Sequence, residues 1–137
     1  MKANELRIGN YVFHKENVLR ITNIIDFCVN MEFGEQSGER NDEIDIDEIS
    51  PIPLTPELLE KCGFKKGNIC YNNGYSIELL KTDFYLRPSY DGGFYWGFNL
   101  SKDKMDCELN DVKSIHYLHQ LQNIYFALTG EELNIEL

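Results

Sequence analysis

Three of the chain's four prolines, Pro51, Pro53 and Pro56, fall within six residues, and no regular element can run unbroken through them. Each proline fixes its own φ, removes a backbone donor and pushes the preceding residue out of the helical region. Ile49-Ser50-Pro51-Ile52-Pro53-Leu54-Thr55-Pro56 therefore ends a strand and continues as an extended junction. The 137 residues divide accordingly into residues 1–50 and residues 51–137, and each side carries its own pattern.

Before the junction the pattern is β. Leu6, Ile8 and the run Tyr11 to Phe13 are broken by Gly9-Asn10, and branched and aromatic residues continue through Val18 to Phe33. Residues 35–41 form a loop by composition, and Glu43-Ile44-Asp45-Ile46-Asp47 alternates with period two, as a strand with one wet face does. Four or five short strands in fifty residues predict a small, bent antiparallel barrel of the SH3-like kind.

After the junction the chain alternates between helix and strand signals. Thr55 is placed to cap a short helix, Pro56 suits its first position, and Leu58, Leu59 and Cys62 share a face before Gly63 ends it. Phe64 then folds back towards Leu59. Residues 68–100 predict a three- or four-stranded antiparallel meander, with turns at Asn72-Asn73-Gly74, Lys81-Thr82-Asp83 and Ser89 to Gly93. Residues 101–111 are polar and predict a loop. Apolar residues at helical spacing then predict a helix over residues 114–129, with Tyr117, Leu118, Leu121, Ile124 and Phe126 on its buried arc and His116, His119, Gln120 and Asn123 on the other. Leu133, Ile135 and Leu137 alternate as a terminal strand. The expected fold is α+β: an SH3-like barrel, then an antiparallel sheet packed against the C-terminal helix.

Composition limits function. With 42% hydrophobic residues the chain can bury a core, and no run approaches a membrane span or a secretory leader, which places the protein in the cytoplasm. The net charge is −10, and residues 32–48 alone, with eight acids and one base, contribute −7 of it. That balance argues against direct grip on nucleic-acid phosphates or an anionic membrane. Cys28, Cys62, Cys70 and Cys107 form no C-x-x-C pair and read as reduced thiols.

The acidic segment is the first candidate site. An EF-hand loop does not fit, because a loop opened by Asp42 or Asp45 would need glycine where Asp47 or Ser50 stands. A solvated edge strand, with Ile44 and Ile46 inward and acids discouraging further pairing, explains the pattern. A docking patch for a basic protein partner, using Asp42, Glu43, Asp45, Asp47 and Glu48, is the functional counterpart. A nucleic-acid-mimicking decoy is another. His116 and His119, three apart on one side of the expected helix, form a second candidate, a metal clip or acid/base pair for a small metal-dependent hydrolase. Gly74-Tyr75-Ser76-Ile77-Glu78 departs from a nucleophile elbow at its fifth position. Tyr85, Tyr90, Tyr95 and Trp96 fit either a meander core or a stacking platform. No nucleotide cradle and no cofactor is indicated. The expected activity is that of a non-enzymatic interaction module.

Three stretches resemble a family of small, uncharacterised proteins from Bacteroides-type bacteria and their phages or mobile elements: residues 4–12 (Asn4-Glu5-Leu6-Arg7-Ile8-Gly9-Asn10-Tyr11-Val12), the junction 49–55, and residues 119–133 (His119-Gln120-Leu121 to Glu131-Glu132-Leu133). The resemblance implies a short cytoplasmic protein, an accessory factor of a mobile element. It carries no activity or ligand.

Overall fold

Runs of branched and aromatic residues satisfy their backbone groups by pairing with one another, and here they do so in two separate antiparallel sheets. The computed structural model describes residues 5–25, 28–33, 42–69, 71–79, 82–89, 91–99 and 108–136. Contacts group them into two units: Met1–Pro53 with Tyr117–Leu128, and Leu54–His116 with Thr129–Leu137.

In the first unit, strands β1 (Tyr11–His14), β2 (Asn17–Ile25), β3 (Cys28–Phe33), β4 (Asp42–Asp45) and β5 (Ile49–Ser50) lie in the order β4-β3-β2-β1-β5. The β1–β2 connection is a two-residue turn with Lys15 and Glu16 both at positive φ, which matches the twist of the strands it joins. A 3-10 turn, Ile46–Glu48, joins β4 to β5. Leu6, Val12, Leu19, Ile21, Ile44, Ile46 and Ile49 form the core. Among the described residues no pairing joins β4 to β5, so the ladder reads as a five-stranded antiparallel sheet.

The second unit begins with helix α1 (Pro56–Lys61), which forms as its sequence dictates. Thr55 Oγ1 accepts from the Leu58 N–H at 3.2 Å, and the Phe64 N–H reaches the Leu59 carbonyl at 3.0 Å across Gly63. Gly63 has φ +88°, a conformation that a side chain would strain. Strands β6 (Lys65–Ile69), β7 (Tyr71–Leu79), β8 (Thr82–Pro88), β9 (Phe94–Asn99) and β10 (Glu108–Ile115) follow as an up-and-down sheet. Phe84, Tyr85 and Leu86 are all buried, so the central strand β8 is covered on both faces. Phe84 lies 6.0 Å from Phe64 and 6.1 Å from Trp96, and Tyr75 meets Phe94 edge-on at 6.4 Å, ring separations typical of a packed aromatic core.

Several expectations change. Asn72-Asn73-Gly74 lies within β7, with Gly74 opposite Gly67, because pairing overrides a turn-favouring composition. Residues 108–111 belong to strand β10, and Ser114 and Ile115 end that strand instead of opening a helix. The helix α2 runs Leu118–Thr129, and its residues through Leu128 group with the first unit, not with the second sheet. Its buried face is also rotated from the expected one: His119 and Gln122 are buried while Phe126 is exposed. Leu133 is buried and the Glu136 N–H bonds to the Lys61 carbonyl at 3.0 Å, but residues 132–136 form no strand.

Candidate functional site

Among the described residues, polar side chains converge at two places, one in each unit. In the first, the amides of α2 replace the backbone partners that the bend at Gly9-Asn10 lacks. Gln122 Oε1 accepts from the Tyr11 N–H at 2.9 Å, and Gln122 Nε2 donates to the Gly9 carbonyl at 3.1 Å. Asn123 Oδ1 accepts from Asn10 Nδ2 at 2.9 Å, and Asn123 Nδ2 donates to the Glu5 carbonyl at 3.0 Å. Asn10 Oδ1 accepts from the Arg7 N–H at 2.7 Å, and the Arg7 guanidinium lies 4.2 Å above the Phe126 ring. The junction joins the same assembly, since the Leu118 N–H bonds to the Ile52 carbonyl at 2.8 Å. This arrangement is a structural clasp: every group is a backbone partner, a neutral amide or a cation over a ring.

The acidic segment lies along the edge of the same sheet. Ile44, Ile46 and Ile49 are buried, whereas Asp45, Asp47 and Glu48 are exposed. Asp45 caps the 3-10 turn by accepting from the Asp47 N–H at 3.0 Å, and Glu48 Oε2 lies 3.7 Å from His14 Nε2. The backbone of Asp42 and Glu43 pairs with Met31 and Asn30. Strand β4 is an edge strand with Ile44 inward, but it ends at Asp45: the strand expected through Asp47 gives way to the 3-10 turn, which buries Ile46 by a different backbone geometry.

The second convergence was not legible in the sequence. Asp91, in the β8–β9 turn, places Oδ2 2.8 Å from Ser114 Oγ and 3.1 Å from His116 Nε2, and Ser114 Oγ lies 3.3 Å from the same nitrogen. Asp91 Oδ1 accepts from the Ser89 hydroxyl and from the Gly93 N–H at 3.3 Å. These hydrogen bonds, Ser89's first, then Ser114's, and the nearby His116 hold the Asp91 carboxyl well below the usual carboxylate range. The pairing of Ile115 with Phe94 brings residues 114–116 to this turn. The one sequence signal is Ser-x-Asp-Gly-Gly, which announces a turn and nothing more.

A serine, a histidine and an aspartate together invite a catalytic reading, which the geometry refuses. In a nucleophilic triad the hydroxyl and the carboxylate engage opposite ring nitrogens, so that one orients the imidazole while the other gives up its proton. Here both lie at Nε2 of His116. His119 does not share this cluster. It belongs to the first unit, is 2% exposed, stacks on Tyr117 at 5.9 Å, and among the described residues meets no hydrogen-bond partner at either nitrogen. Burial pushes its pKa down, although Glu5 pulls the other way. The two histidines of the expected metal clip thus serve different units, and among the described residues no three His, Cys, Asp or Glu side chains gather as a metal site. Cys62 is buried, and desolvation pushes its thiol up to about 12, which leaves it an inert core residue. Ser76 sits in mid-strand opposite Tyr85. Tyr85 is buried in the sheet, and Tyr90 lies outside the described residues.

No protein-family model, curated protein or solved structure matches this chain. Among the described residues no helix is long and apolar enough to cross a membrane.

Proposed function

We propose that the protein is a non-enzymatic interaction module whose acidic edge docks a basic protein partner. The observation that carries this reading is the division of labour along residues 44–49: Ile44, Ile46 and Ile49 anchor the segment in the core while Asp45, Asp47 and Glu48 face solvent. Acids on a segment anchored in this way, from the end of β4 through the 3-10 turn, present their field in one orientation, which speeds and orients encounter with an opposite charge. The shared-nitrogen geometry at His116 supports the non-enzymatic half of the reading. A five-stranded meander whose last strand returns to β1 through a 3-10 turn supports an SH3-like module as its framework. The resemblance noted above suggests a cytoplasmic setting and an accessory role for a mobile element.

The test is affinity purification of the full chain from its native cells, with Asp42→Lys, Glu43→Lys and Asp47→Lys combined. This choice leaves the Asp45 cap and the Glu48–His14 contact intact. The expected result is a basic protein retained at low salt, released at high salt and lost with the reversed charges. Recovery of no partner, or capture indifferent to the reversal, would overturn the proposal.

A further inference from the structure

We propose that Asp91 Oδ2, Ser114 Oγ and His116 Nε2 form one face of a binding site for a divalent first-row transition ion of the zinc class. The three donor atoms stand 2.8, 3.1 and 3.3 Å from one another. An ion bound at about 2.1 Å holds neighbouring donors roughly 3.0 Å apart in an octahedral shell and roughly 3.4 Å apart in a tetrahedral one. These atoms are hydrogen-bonded to one another, so an ion that displaces the shared protons meets donors already near coordination spacing.

The groups around the triangle are arranged as supports. Asp91 uses Oδ1 for Ser89 and the Gly93 N–H, and this fixes the carboxylate with Oδ2 turned to the other two donors. Ligating carboxylates in metal sites are held in the same way by outer hydrogen bonds. The imidazole lies against a residue without a side chain: a Cβ on Gly93 would stand 2.8 Å from His116 Cε1 and Nδ1 and 2.5 Å from the Ile115 carbonyl. The Asp91 and His116 side chains are 57% and 34% exposed, so an ion reaches the face from solvent and water completes its shell. One imidazole nitrogen, one carboxylate oxygen and one hydroxyl suit zinc or manganese better than the all-oxygen shell that magnesium prefers or the thiolates that cuprous ion prefers. This inference is independent of the acidic edge, which lies in the other unit.

Zinc chloride is titrated calorimetrically into the reduced full chain, and into the Asp91→Asn and His116→Ala variants. Any thiol sites are common to all three proteins and cancel in the comparison. The wild type is expected to bind one equivalent that Asp91→Asn binds at least tenfold more weakly and His116→Ala does not bind. A second readout needs no variant: in ring-nitrogen NMR of the wild type, zinc shifts Nε2 of His116 and leaves His119 unmoved. Titrations indistinguishable among the three proteins, or a zinc shift on another histidine, would overturn the site.

Discussion

The amide clasp of the first unit and the Asp91 cluster of the second solve the same problem with opposite chemistry. Each pins a turn to a segment far along the chain, Gly9-Asn10 to Gln122-Asn123 in one case and Asp91 to Ser114–His116 in the other. The centre of the clasp, Asn10 and Gln122, is buried and uncharged, and the cluster is exposed and charged. Burial makes the clasp demanding, because each amide removed strands a backbone group away from water. Exposure makes the cluster lenient, because water replaces whatever is lost, but it also leaves its donors within reach of an ion. The clasp therefore governs stability, and the cluster is where chemistry can enter.

Three substitutions probe that contrast. Gln122→Ala, which leaves the Tyr11 N–H and the Gly9 carbonyl without their partners, is expected to destabilise the protein by about 3 kcal/mol in urea unfolding. A loss as small as that of a surface substitution would show that water enters the clasp and that the contrast is false. Gly93→Ala forces its new methyl against the Ile115 carbonyl and the His116 ring, and is expected to cost about 2 kcal/mol. It should also move the His116 ring resonances, whereas Gln122→Ala should not. The smallest effect at neutral pH belongs to His119. Its folded pKa lies below the ordinary 6.5, so in the window beneath that value the unfolded chain holds a proton that the folded chain refuses. Stability contributed by this group therefore falls as pH drops below about 6.5. His119→Phe, which keeps a ring beside Tyr117, is expected to flatten the stability profile between neutral pH and about pH 5 relative to wild type. Parallel profiles would mean that His119 is not the titrating group.

Local chemistry was legible in the sequence and partners were not. Thr55, Pro56 and Gly63 specified α1 and both of its ends, and the Ser89 to Gly93 turn is where composition put it. Period two in residues 43–47 placed Ile44 and Ile46 inward. Helical periodicity identified α2 but not what it packs on, since an apolar arc reports burial and carries no address. It also misjudged His119, because hydropathy counts an imidazole as wet, and it left Gln122 unplaced although a satisfied amide buries readily. Strand β10 was hidden by its polar residues, and with it the register that carries Ser114 and His116 to Asp91.

The return of α2 to the first unit makes that unit discontinuous in sequence, with residues 54–116 inserted between its two parts. The insertion begins and ends at one spot: the Leu54 N–H bonds to the His116 carbonyl at 2.9 Å, one residue from the bridge between Pro53 and Tyr117. During synthesis, then, the earlier part of the chain must wait for its last helix until the inserted sheet has left the ribosome. The second unit is likewise completed late, since it includes Thr129–Leu137. By covalent order alone, the amide clasp can form only after residues 54–116 have been synthesised, which makes it a late contact of the first unit.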